Sequence, residues 1–264
     1  MIDKPYRRII RPFERLKDGS CAYKQAGVDD NYYMDSDYAP NRVELVRAYS
    51  IIERDLVRLF EYIEPADKNR ETYSHRLYEL LLRASTEFEA NCKGILGAND
   101  YNCPRDFNIC DYHKTNEASR LSEYEVRVSV WRGAPKVFRP LDKWSVGRSL
   151  VWYQAYNCVK HDRSRSFQKA NLENVLSAVA GVLVVLFSQF YVLCFRAHAH
   201  VGLYHLGDGW FSHEDSIFAI KPPTTWTETD FYRFDWSVLQ GQRDRFAAYP
   251  FPANGAKQPD LGHE

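Results

Sequence analysis

The chain has no GxSxG nucleophile elbow, no GxxxxGK[ST] phosphate loop and no GxGxxG dinucleotide fingerprint. Without them a serine hydrolase, a P-loop NTPase and a dinucleotide-binding oxidoreductase are all disfavoured. No CxxC pair occurs among the six cysteines, Cys21, Cys92, Cys103, Cys110, Cys158 and Cys194. Neither sign of charge is in excess, since Lys+Arg and Asp+Glu both total 35. No global field therefore draws the protein to nucleic acid or anionic lipid, and any such binding must come from a local patch. The opening segment MIDKPYRRIIRPFERLKDG lacks the apolar core and small-residue cleavage site of a secretion signal. Together with the cysteine usage, this predicts a cytoplasmic protein with free thiols. Internal repeats and low-complexity tracts are also missing.

What is present is enough to build a sizeable core, with 45% hydrophobic and 15% aromatic residues over 264 positions. Asn41 is the expected N-cap of a first helix, in which Val43, Val46, Tyr49, Ile52, Leu56, Leu59 and Ile63 recur at helical spacing until Pro65. A second helix is expected from Thr72 or Ser74 to Gly97, with Leu77, Leu80, Leu81, Ala84, Phe88, Cys92 and Ile95 as its stripe. Asn91 falls inside that stripe, Glu87 on its edge, and Glu89 points away. The alternation from Tyr124 to Trp131 predicts a strand with one wet face. A third helix is expected from Val146 to His161 or Arg163. Asn171 then caps a fourth whose run Val175–Phe195 is polar only at Ser177, Ser188 and Gln189. That run is long enough to span a membrane, but a helix apolar all round also suits the centre of a bundle. We expect a core helix and no membrane.

The fold class expected is thus mainly α: an antiparallel four-helix bundle over residues 41–200 with a β insertion near 123–138. Residues 1–40 form a basic arm and loop, and residues 201–264 an aromatic, β-containing extension packed on the bundle. The first 17 residues carry six Lys/Arg against two acids.

Chemistry is expected in the third helix. On a wheel starting at Val146, the residues Val146, Leu150, Gln154, Asn157 and His161 share one face, with Trp152, Ala155 and Val159 opposite. Such a helix should be buried on most sides, so Asn157 and His161 need hydrogen-bond partners, for which Glu87 and Asn91 are the natural candidates. A histidine held by a carboxylate suits acid–base work. A satisfied core network that only fixes helix register is the plainer reading. The loop that follows is basic, with Lys160, Arg163, Arg165 and Lys169 against Asp162, and Phe167 among them. With the N-terminal arm it could contact RNA phosphates and stack one base. Alternatively it is a solvated loop whose cations favour the end of the preceding helix.

The segment Asn157-Cys158-Val159-Lys160-His161-Asp162-Arg163, late in a helical bundle and followed by a long apolar helix, resembles the HEPN superfamily. The likeness is strongest over residues 147–197 and looser over 42–97. It implies an all-α bundle, frequently dimeric, and for many members a metal-independent RNA endonuclease of toxin–antitoxin or phage-defence type. Other members are inactive partners. By this resemblance His161 matches the catalytic histidine and Asn157 the polar position before it. No cofactor or metal is implied, and a homodimer, RNA and an antitoxin or other protein become the expected partners. The family's arginine is missing, because Tyr156 and Ala155 stand at its spacing and Arg148 is too distant. Lys160, or an arginine of a second subunit, would have to replace it.

A second constellation is His198, His200, His205 and His213 with Glu214 and Asp215. His-x-His on an extended segment puts both rings on one face, as a metal would require. No CxxC or HExxH supports it, and histidines after a helix also suit its dipole. No metal is expected.

Overall fold

Two polar side chains start the helices at the centre of the molecule. In the computed structural model, which describes residues 2–24, 31–191, 204–213 and 216–252, Ser74 Oγ accepts from the Leu77 amide and Asn171 Oδ1 from the Asn174 amide. Each satisfies a donor that a first helical turn leaves unpaired.

In chain order a hairpin of β1 (Glu14–Arg15) and β2 (Cys21–Ala22) precedes α1 (Arg42–Leu59) and α2 (His75–Ala98). The short α3 (Ile109–Tyr112) and α4 (Lys114–Ser119) lead to β3 (Glu125–Val128) and β4 (Lys136–Phe138). Then follow α5 (Val151–His161), α6 (Arg163–Ser166) and α7 (Leu172–Phe190). Last come β5 (Tyr204–His205), β6 (Phe211–Ser212), β7 (Phe218–Lys221) and α8 (Trp236–Leu239). The protein is mainly helical, with two small sheets.

The long helices alternate in direction. The end of α1 and the start of α2 share one groove. Tyr153 of α5 meets Glu89 of α2, and Arg163, just beyond α5, meets Tyr78, so α5 runs against α2. By contrast α7 runs alongside α2: the Leu172 amide donates to Thr72 O, and Gln189 Nε2 to Asn91 Oδ1. The parallel pair α2 and α7 touch along their lengths, and α1 and α5 each pack on both.

This arrangement explains the composition of α7. Every residue from Ala178 to Phe190 is buried. By length and hydropathy α7 could cross a membrane, yet 83% of its apolar window is covered by protein. Gly181 sits where α7 meets α5, and a Cβ there would lie 3.2 Å from the Trp152 ring. Trp152 is fixed in turn by its Nε1–H, which donates to Pro140 O at 2.9 Å.

β3 falls within the predicted octet, with Val126 and Val128 inward and Glu125 and Arg127 toward solvent. Its second neighbour comes from the far end of the chain. The sheet has the antiparallel order β4-β3-β7-β6-β5, with Val126 opposite both Phe138 and Ile220. The insertion and the C-terminal extension therefore form one sheet. It packs on α7 through Phe187, whose ring lies 5.9 Å from Tyr124 and 5.7 Å from Phe211.

The N-terminal segment is not an open basic arm. Ile9 and Ile10 are in the core, Arg8 and Arg11 are also buried, and the Ile10 amide donates to Ser188 O of α7. Arg11 lies among the rings of Tyr6, Trp226 and Tyr249, 5.4–5.5 Å from each, and donates to Ala118 O. Arg8 donates to Asn41 Oδ1, so Asn41 precedes α1 as expected without capping it through its side chain. A guanidinium is a stronger donor than a helix-terminal amide. The tyrosine-rich stretch is likewise drawn inward, with Tyr32, Tyr33 and Tyr38 buried and Tyr32 set edge-on to Tyr232 and Phe234.

Two buried carboxylates pin the flanks. Asp111 accepts from Arg105 at 2.6 Å, from Tyr101 Oη at 2.8 Å and from the Asn108 amide at 2.9 Å. Burial acts to raise its pKa, but these donors outweigh it and hold the carboxyl below its ordinary value. A carboxyl depressed in the folded state stabilises above its unfolded pKa of about 3.9 and loses that contribution as pH falls through the folded value. Urea midpoints are therefore expected to drop below about pH 4, and to drop less over that range in Asp111→Asn. Equal slopes in both proteins would refute this. The second carboxylate, Glu53 of α1, is 4% exposed. It accepts from His213 Nε2 at 3.1 Å and from Ser216 Oγ at 2.5 Å. Tyr49 is nearby, where burial first and the Glu53 charge second raise its hydroxyl pKa.

Candidate functional site

The expected wheel began at Val146, but a 3₁₀ turn over Asp142–Val146 and Gly147 at φ +64° delay α5 to Val151. The helix that results is not buried on most sides. Trp152, Tyr153, Ala155, Tyr156 and Val159 are inward, while Val151, Gln154, Lys160 and His161 are exposed. Asn157 is half-buried.

His161 is the last residue of α5, and its ring lies in solvent. Among the described residues no hydrogen bond reaches that ring. The expected partners lie elsewhere. Asn91 is fully buried, accepts from Gln189 Nε2 at 2.8 Å and donates to Glu87 O at 2.8 Å. Glu87 is half-buried, and burial raises its pKa against the opposing charge of Arg83. Close contact of α7 with α2 brings Gln189 to Asn91 and leaves His161 at the opposite end of the bundle. Asn91→Ala is expected to cost about 1–3 kcal/mol of stability, because buried Gln189 keeps only Val185 O as an acceptor and its Oε1 already has no partner. Urea unfolding would measure this. A loss under about 0.5 kcal/mol would show that the amide pair contributes little.

Glu89, placed off the stripe by the wheel, accepts from Tyr153 Oη at 2.6 Å. α5 approaches α2 from one side of the stripe, and Glu89 lies on that side. Burial, then the bond to Glu89, push the Tyr153 hydroxyl far above its ordinary pKa. One turn along, Lys160 donates to Tyr156 Oη at 3.2 Å and lies 5.1 Å from that ring, and this bond raises its pKa.

The basic run beyond His161 changes direction. α5 breaks at Asp162 (φ −140°, ψ 76°), whose side chain accepts from the Arg165 amide and starts α6. With the helix broken, Arg163 turns onto α2, where its guanidinium lies 5.8 Å from the Tyr78 ring. Arg165 is paired with Asp162 at 3.7 Å and stays largely in solvent. Lys169 folds back to donate to Cys158 Sγ at 3.2 Å. Phe167 is half-buried rather than free, with Tyr73, His75 and Tyr78 around it at 5.5, 4.8 and 6.2 Å.

Tyr73, His75 and Tyr78 were not expected at this site. The antiparallel run of α5 against α2 puts them there, since the first turn of one helix then lies beside the last turn of the other. The predicted helix ends carried that signal. The result is an exposed imidazole at the end of α5, followed in sequence by a basic turn whose Arg163 and Phe167 lie on an aromatic ledge of Tyr73, His75 and Tyr78, a composition suited to an anionic strand.

The histidine constellation is only partly described. His198, His200, Glu214 and Asp215 lie outside the described residues, and His205 is placed only as backbone in β5. His213 bonds to Glu53. Among the described residues no cluster of three His, Cys, Asp or Glu could hold a metal.

Comparison of the chain with protein-family models, curated proteins and solved structures yields no match.

Proposed function

We propose that the chain is an HEPN-like helical bundle whose His161 end cleaves RNA without a metal. The observation that carries this reading is the solvent exposure of His161 at the end of α5, next to Lys160, Arg163 and Arg165. Cleavage would use the RNA's own 2′-hydroxyl, which attacks the adjacent phosphorus and expels the 5′-oxygen, leaving a cyclic phosphate. His161 takes the hydroxyl proton or supplies one to the leaving oxygen. Positive charge stabilises the phosphorane; Lys160, whose ammonium is held by Tyr156, and Arg163, over the Tyr78 ring, are the candidates to supply it. Asn157 lies one turn before His161 and supplies an amide to the same ledge.

A second reading is an inactive binding or scaffold module. Its support is specific: Asn91 is committed to Gln189, and no described residue orients the His161 ring. The two readings part on one assay, RNA cleavage by the folded chain with a chelator present. Cleavage that persists under chelation and requires His161 supports the nuclease. Binding of single-stranded RNA without turnover supports the module.

A further inference from the structure

Leu59 at the end of α1 and Ile63 in the turn after it, with Leu80 of α2, floor a groove of about 770 Å³. Its rim carries Arg58, Arg76, Arg83 and Tyr62, and Tyr62 is 83% exposed. Asp55 lies 3.5 Å from Arg58 and 2.7 Å from Arg83, while Glu79 lies 2.8 Å from Arg76. The three arginine side chains, Arg58, Arg83 and Arg76, remain 65%, 42% and 76% exposed. Exposed pairs of this kind are weak, so each guanidinium can turn to a second carboxylate.

We propose that this groove docks a short acidic segment of a partner protein. A large apolar side chain would rest on Leu59, Ile63 and Leu80, and flanking carboxylates would take Arg76 and Arg83. Three features favour this occupant. Exposed tyrosine and arginine around an apolar floor is the composition of protein-interface anchor sites. Three guanidiniums face two carboxylates, which leaves a net charge of only +1. A nucleic-acid strand carries a phosphate at every nucleotide and would meet Asp55 and Glu79, whereas a peptide can place its acids only where a cation waits. Finally, α2 from Ser74 to Arg83 extends about 13 Å, the reach of a short segment. The inference does not rest on the His161 reading.

The test is selection of random twelve-residue displayed peptides against the full chain. Enriched peptides are expected to share a Leu, Phe or Trp flanked by at least two Asp or Glu. The labelled consensus peptide, followed by fluorescence anisotropy, should bind at least tenfold more weakly to Arg76→Ala/Arg83→Ala. It should bind at least threefold more weakly to Tyr62→Ala and equally well to His161→Ala. Circular dichroism establishes that each variant is folded, and the exposed Tyr62 gives an independent readout if the double variant unfolds. No enrichment, a basic consensus, or binding indifferent to Arg76, Arg83 and Tyr62 overturns the proposal. So does binding of a twelve-residue oligouridylate that these substitutions abolish while no peptide is enriched, a result that would assign the groove to nucleic acid.

Discussion

His161→Ala is expected to slow chelator-resistant RNA cleavage by about 10²–10⁴-fold while shifting stability by no more than about 0.5 kcal/mol. Both parts follow from where the ring lies. It ends α5 in solvent and is not bonded by any described residue, so its removal opens no cavity and strands no buried donor. If the same ring moves the proton, its removal loses the whole acid–base contribution. Arg163→Ala, Arg165→Ala and Lys169→Ala should instead weaken RNA binding. Each should also flatten the logarithmic salt dependence by about 0.7 for every phosphate of a single strand left without its cation. The split between turnover and binding is what distinguishes a proton-transfer residue from one that only attracts the strand. A folded His161→Ala protein with undiminished cleavage would place the reaction elsewhere.

Glu53→Ala is expected to cost about 1–3 kcal/mol for each buried group that loses its acceptor. Its carboxylate is shared by two donors from the C-terminal extension, and its removal takes an acceptor from both His213 and Ser216. The loss should also be uneven. Backbone amides of β6 and β7 should exchange faster with solvent, while those of α2, whose cover comes from α1, α5 and α7, change less. Glu53→Gln keeps one oxygen as an acceptor but replaces the other with an amide nitrogen, so an intermediate loss is expected. Urea denaturation and hydrogen exchange measure the two effects. Equal acceleration across the whole chain would mean that Glu53 supports global stability and does not specifically hold the extension.

Features legible in the sequence were those decided within a few residues. Ser74 and Asn171 start helices because their side chains reach amides three residues on, and that chemistry is local. The apolar run in α7, polar only at Ser177, Ser188 and Gln189, read as a core helix because it offers no continuous wet face. Asn41 shows the limit: its sequence context fits an N-cap, but Arg8 competes for it from a segment no local pattern connects to α1. Pairing of β3 with β7 was equally hidden, since alternation reveals a wet and a dry face but not which distant strand lies alongside. At the candidate site, His161 and its basic neighbours were identifiable by type and spacing. Their surroundings depended on two backbone events, the delay of α5 to Val151 and its break at Asp162. The choice of Asn91 as a partner for His161 failed because helix periodicity gives an angle around one axis and says nothing of which helix lies opposite.

The enclosed N-terminal segment has a consequence for how the chain is made. Ile9 gives its carbonyl to Tyr232, a partner 223 residues later. At about 5–20 residues per second, a ribosome takes roughly 11–45 s to travel that distance. Throughout that interval the enclosure of Ile9 and Arg11 is incomplete, because Tyr232 and Trp226 have yet to be made, although Asn41 and Ser188, the partners of Arg8 and Ile10, come earlier. Conditions that slow elongation lengthen the time this apolar segment waits for its last partners.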